Sequence, residues 1–229
     1  ISEDNRYYDT EFNNTLELGL KSSLLNDTLN TRLAAFYIQR KDQQVKSSYM
    51  LLDESNIPVF QDYLSNAAEG RNYGLELESF WLLTESLAWQ LSAGYLKTEF
   101  VDYRYQTEDG EFDKTGRAQA HAPEYTLATG LEYAINHAFK VTFESEAKDD
   151  FYFSDSHDEK SEAYVLLHAR IEYQVNSFTA ALYGRNLTDQ DYAVRGFGFG
   201  NDPRDWSANS QQIQLGSPRL VGVEARYTF

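Results

Sequence analysis

Apolar residues fall on every second position in stretch after stretch of this chain, and that period of two is the strongest limit on how it can fold. Tyr73, Leu75, Leu77, Ser79 and Trp81 alternate with Gly74, Glu76, Glu78 and Phe80, and Leu87, Trp89, Leu91, Ala93 and Tyr95 alternate with Ala88, Gln90, Ser92 and Gly94. Successive side chains of a strand point to opposite faces, so each run predicts a strand with one apolar and one polar face. Residues 16–20, 125–133, 139–148, 165–174 and 221–229 show the same pattern, and 29–45 and 178–199 show it less regularly. The count is about nine strands, and the reading is all-β. Composition agrees, with 17 Tyr and 14 Phe against one Met.

Connection lengths narrow the choice further. Short turns are expected at Asn26-Asp27, Thr84-Glu85-Ser86, Asn136-His137 and Asn176-Ser177, all residues suited to tight turns. Long segments fall between them at about 46–62, 105–123, 154–163 and 200–217. Strict alternation of short and long predicts an antiparallel up-and-down meander with its turns at one end and its loops at the other. That is the pattern of a transmembrane β-barrel. No run reaches the 18 or so apolar residues of a membrane helix, which does not bear on strands that meet lipid only every second residue.

Aromatics on the apolar parity form two rows. Trp81, Trp89, Tyr133, Phe139, Tyr173, Phe178, Tyr227 and Phe229 lie beside a short turn or the chain end, and Tyr73, Tyr95 and Tyr125 lie toward the long segments. Tyr73 to Trp81 and Tyr125 to Tyr133 each span roughly 20 Å along a barrel axis, close to the apolar band between aromatic girdles. A soluble β-sandwich alternates in the same way, burying its apolar face against a second sheet, and stands as the alternative fold.

The formal charge of −16 and the scattered Lys and Arg argue against a nucleic-acid partner. With no Cys, disulfides, thiolate nucleophiles and Cys-ligated metals are excluded. Glu76 and Glu78 could be taken for a glycosidase acid and nucleophile, but carboxylates on alternate residues suit a wet lumen wall, so no enzyme activity, cofactor or metal is expected. The acidic groups Glu108, Asp109, Glu111, Asp113 and Asp155, Asp158, Glu159 with His157 could hold a hard cation, yet their spacing matches no closed coordination loop. They read as solvated loops.

Several segments resemble the C-terminal half of TonB-dependent receptors: LELGLKSSLLNDTLNTRLAAFYIQRKDQQV at 16–45, YGLELES at 73–79, HAPEYTLATGLEY at 121–133, DDFYFSDSHDEKSEAY at 149–164, NLTDQDY at 186–192 and GSPRLVGVEARYTF at 216–229. They occur in family order across nearly the whole chain, with small departures at Thr188 and Leu220. The resemblance implies a 22-stranded barrel closed by an N-terminal plug. Residues 1–229 would then be its last nine strands, with the plug and earlier strands absent. The start at Ile1 without Met or signal peptide fits that expectation.

The resemblance further implies an outer-membrane receptor of a Gram-negative bacterium for active uptake of a scarce nutrient, most simply a ferric siderophore, energised through the plug by a TonB-type complex. A passive channel or adhesive barrel is the alternative, with a soluble sandwich binding module or hydrolase behind it. The closing residues Val223, Ala225, Tyr227 and Phe229 carry the alternation and terminal aromatic that the barrel assembly machinery recognises in this family, and they equally suit a face in contact with outer-membrane lipid. Ligand contacts are expected on the long loops and upper lumen. The candidates are Tyr103, Arg104, Tyr105, Arg117, Arg195, Phe197, Phe199, Arg204 and Trp206, where aromatics can stack on a chelator and Arg can offset an anionic complex.

Overall fold

In a computed structural model of the protein the described residues are 8–52, 58–107, 110–155, 157–199 and 210–229. Among them there is no helix, and every strand pairing is antiparallel. The twelve strands are β1 (Phe12–Leu24), β2 (Leu29–Leu52), β3 (Pro58–Thr84), β4 (Leu87–Thr107), β5 (Gly110–Asp113), β6 (Tyr125–Ala134), β7 (Phe139–Lys148), β8 (Tyr164–Val175), β9 (Phe178–Arg185), β10 (Ala193–Phe199), β11 (Ser210–Leu215) and β12 (Leu220–Tyr227). Nine of them form one wall in the order β1-β2-β3-β4-β6-β7-β8-β9-β12, the meander expected from the connection lengths. β5 pairs with the far end of β4, and β10 and β11 form a separate hairpin.

The register aligns the alternating patterns into continuous faces. One row runs Leu20, Leu33, Leu77, Ala93, Leu127, Ala147, Val165 from β1 to β8. The next row, on the opposite face, runs Lys21, Arg32, Glu78, Ser92, Ala128, Glu146, Leu166. A slip of one residue in any pair would mix the two, which is why a two-faced sheet holds its register. Among the described residues no second layer covers the apolar face: Leu75 is 50% and Val223 81% exposed. The sandwich alternative, which needs such a layer, is thereby set aside. The sheet is open, with β1 and β12 each having a single neighbour among the described residues.

The short turns form where turn chemistry placed them. Leu25, Asn26 and Asp27 all take positive φ, as does Asn176, a residue that tolerates the left-handed region. The Asn136 side-chain carbonyl accepts the N–H groups of Ala138 and Phe139 at 2.9 and 3.0 Å, closing the β6–β7 turn. At the other end the expectation needs correction. Three segments read as loops contain paired strand: β2 and β3 stay paired out to Leu52 and Pro58, β4 turns back through β5, and β11 lies within 200–217. These stretches carry no sustained period of two in hydropathy, so periodicity could not show them.

The run 178–199 is likewise not one strand. It breaks between β9 and β10, where Asn186 and Asp189 adopt positive φ. The buried Asn186 amide donates to the carbonyls of Gln190 and Ser217 at 2.9 and 3.1 Å and accepts the Gln190 N–H at 2.9 Å, while Asp189 accepts the Arg219 N–H at 2.9 Å. NLTDQDY and GSPR, far apart in the chain, are thus stitched together, and the stitch fixes where β12 joins β9.

Candidate functional site

Two places can do chemistry: the polar side of the wall and the assembly of segments at its outer end. On the polar side lies a hollow of about 810 Å³ whose lining includes Lys21, Arg32, Glu78, Gln90, Glu144 and Glu146. Charges here are largely arranged in pairs across strands. Arg32 meets Glu78 at 3.2 Å, Lys140 meets Glu132 at 3.3 Å, and Arg170 bridges Glu172 and Glu224, each at 3.0 Å. His168 accepts the Asn186 N–H on Nδ1 at 3.1 Å, and its Nε2 lies 3.9 Å from Glu146. Glu78 is therefore committed to Arg32, which suits a hydrated wall better than a catalytic pair. Gly222 completes this face: a Cβ there would approach the Tyr183 ring to 2.5 Å, so the missing side chain lets that ring lie across β12.

The outer end has its own small core. Phe100 pairs with Gly70 whereas Asp102 pairs with Glu69, so Val101 is an extra residue and Phe100 and Tyr103 fall on the same side. Both rings are buried, 0% and 1% exposed, with centroids 4.6 Å apart, and Val45 and Ala68 pack beside them. The segment after β5 caps this core through backbone bonds: Phe100 N–H to Arg117 O, Gly116 N–H to Phe100 O and Lys114 N–H to Tyr103 O, at 2.8 to 2.9 Å. Gly116, at φ +83°, makes the turn that allows it.

On top of that cap sit residues 150–155 and 157–161, held by Arg117. Its guanidinium donates to the carbonyls of His157 and Ser154 at 2.7 and 2.6 Å and to the Asp158 carboxylate at 2.8 Å, and it lies 4.3 Å above the Tyr152 ring. Lys114 reaches both Asp158 oxygens at 2.7 Å. Hydrogen bonding from Lys114, with that from Arg117 and the charge of both, holds the Asp158 carboxyl below the usual carboxylate range against the opposing effect of partial burial. Asp155 accepts the Ala120 N–H at 2.8 Å, and the buried Phe153 ring rests on Gly196 of β10, where a Cβ would strike it. Segments around 100, 117, 153 and 196 are thereby one connected plate.

The ligand candidates separate accordingly. Tyr103 and Arg117 are building elements of the plate. Arg104 is exposed and lies 3.3 Å from Asp113, and the Arg195 guanidinium stands 4.6 Å over the half-exposed Phe197 ring on β10. Tyr105 and Phe199 lie on β4 and β10, but their side chains, with Arg204 and Trp206 entirely, lie outside the described residues, as do Glu108 and Asp109. Lys114, Tyr152 and Phe153 were missed by sequence reasoning. Their signal was present in the aromatic run Phe151-Tyr152-Phe153, placed where a connection rather than a strand was due. Asp113 and Asp158 of the two acidic groups engage Thr115 and Lys114 rather than converging, and among the described residues no three acidic or His side chains are placed to hold a metal.

The family model for the β-barrel of TonB-dependent receptor-like proteins matches residues 2–187. The pesticin receptor of Yersinia pestis is 25% identical over 217 residues, which are 93% of this chain and 28% of that protein. The siderophore receptor PiuA from Acinetobacter baumannii superimposes with a TM-score of 0.75 at 20% identity, over 98% of this chain and 29% of its own. The ferric yersiniabactin uptake receptor FyuA from Yersinia pestis does so with a TM-score of 0.71 at 21% identity, over 96% and 30%. This chain thus spans less than a third of the length of these relatives, which are described as receptors and not as enzymes. A nine-stranded meander with one bare apolar face, and a family match over most of its length, place this chain in the β-barrel family of TonB-dependent receptors.

Proposed function

We propose that the intact protein is an outer-membrane receptor of a Gram-negative bacterium that takes up a ferric siderophore by TonB-dependent active transport, and that residues 1–229 are the C-terminal part of its barrel. The observation that carries this reading is the division of one sheet into an uncovered apolar face and a polar face around a large hollow. In water such a face drives aggregation, whereas in a bilayer it is the required surface. Siderophore uptake is favoured over other nutrients because two relatives that share the fold are described as receptors for such ligands.

In this reading the TonB complex acts on a plug seated against the polar face, outer-membrane lipid contacts the apolar face, and the barrel assembly machinery reads Val223, Ala225, Tyr227 and Phe229. Arg104, Arg195 and Phe197, with Tyr105, Phe199, Arg204 and Trp206, supply ligand contacts, while Tyr103 and Arg117 hold the plate that positions them. The test is uptake of radiolabelled ferric siderophores by cells with and without the gene, in the presence and absence of a functional TonB complex. Uptake lost in both deletions, and reduced by Arg195→Ala with Trp206→Ala, is the expected result. Uptake that persists without the TonB complex would overturn the active-transport reading, and uptake untouched by the double substitution would remove those contacts.

A further inference from the structure

We propose that Asp158 occupies an anion subsite built by Lys114 and Arg117, and that a small ligand bearing a carboxylate or phenolate oxygen displaces it. The asymmetry of exposure carries this. The Lys114 and Arg117 side chains are 12% and 9% exposed, whereas the Asp158 side chain that pairs with both is 71% exposed. Two cations held from below, with the anion lying outermost, is the arrangement of a filled binding site rather than of a pair buried for stability.

The backbone that carries both cations, and the Arg117 guanidinium, are held by contacts other than Asp158. The backbone around them bonds to β4 through Lys114 N–H to Tyr103 O, Gly116 N–H to Phe100 O and Phe100 N–H to Arg117 O. Arg117 also donates to the Ser154 and His157 carbonyls and lies over the Tyr152 ring, contacts that do not involve the Asp158 side chain. Lys114 Nζ and Arg117 Nη1 both reach the same oxygen, Asp158 Oδ1, at 2.7 and 2.8 Å, so they are spaced to grip one anionic oxygen. Rotation of an exposed side chain takes picoseconds to nanoseconds, so the carboxylate can leave without movement of the loop backbone. An incoming anion then meets two largely desolvated donors, in a protein whose net charge of −16 otherwise repels it. Asp158 therefore acts as an internal competitor that a weakly charged ligand cannot displace.

The inference rests on the uptake reading only for what the natural ligand is, and its test does not use transport. Citrate is titrated into the full-length receptor in detergent at low salt, and the heat of binding, read by calorimetry, reports occupancy. Asp158→Asn should bind citrate about tenfold more tightly than wild type, and adding Arg117→Gln should abolish the gain. Asp158→Glu, which keeps the charge on a longer arm, should stay near wild type. Heat-modifiable migration of each variant checks that the barrel is intact. Citrate binding no tighter in Asp158→Asn than in wild type, or a gain that survives Arg117→Gln, overturns the proposal. A receptor that imports no ferric chelate yet shows the tenfold gain would sink the uptake reading and leave this one standing.

Discussion

The wall and the plate above it treat the same residue types in opposite ways. In the wall, Leu18, Leu75, Leu131, Val223 and Tyr227 stand exposed, and what holds the sheet together is the ladder of backbone hydrogen bonds and the pairing of like faces. In the plate, Val45, Phe100 and Tyr103 are buried against one another, Phe151 packs on Phe153, and the Arg117 side chain is only 9% exposed, as in the interior of a water-soluble domain. Under the proposed outer-membrane setting, the solvent explains the inversion. Beside lipid, apolar surface gains nothing by being covered and only backbone polarity must be satisfied internally; beside water, apolar surface must be covered for a connection to be ordered at all. One chain is therefore stabilised in two ways within a few residues, and the bulge at Val101 marks the change on β4.

The sharpest break in the comparison should come from Phe100→Ala, which empties the core of the plate at an expected cost of about 3 to 5 kcal/mol. Hydrogen exchange should show protection lost around residues 98–119 and kept in β6 to β9; loss throughout the sheet would mean that plate and wall are one unit. Leu127→Arg places a charge on the apolar face and should cost about 2 to 4 kcal/mol near the bilayer midplane, measured by urea titration of receptor folded in vesicles. Gln at Glu146, on the other face, should leave the midpoint nearly unchanged, and equal effects from the two would refute the assignment of faces.

A smaller effect is expected from Phe229→Ala. That side chain is fully exposed and touches the Tyr227 ring, 5.2 Å away between centroids, so unfolding of the finished wall should hardly change while the amount of heat-modifiable receptor in the outer membrane falls. An unaltered amount would count against an assembly role. The smallest concerns pH. The folded Asp158 carboxyl is shifted down, so its contribution to holding its loop on Lys114 and Arg117 is complete above its unfolded value, about 3.9, and is lost as pH falls through the lower folded one. Exchange at Ser161 should then be unaffected by titration of this group from pH 7 to about 5, with loosening confined to more acidic solution; loosening near pH 6 would point to a His instead.

Much of the wall was legible in the sequence. Residues 73–81 and 87–95 gave their strands and faces directly, and Asn26, Asn136 and Asn176 gave their turns, because the period of two and the chemistry of a tight turn are both local. NLTDQDY was legible as a family motif but not as a break between β9 and β10, since the bond from Asn186 to Ser217 spans 31 residues. Arg117 was picked out for its charge and its neighbourhood, yet its partners Ser154, His157 and Asp158 lie about forty positions away and belong to a segment read as solvated.

Alternation, turn residues and loop order by themselves determined that this chain forms a meander of nine wall strands with an apolar and a polar face, because each of those properties is written within a few consecutive residues. Only the tertiary structure decided which outer aromatics are buried, which cations are engaged and where β12 meets β9. Those outcomes depend on bulges that change which way a side chain points and on partners brought close by folding, and neither leaves a period in the sequence.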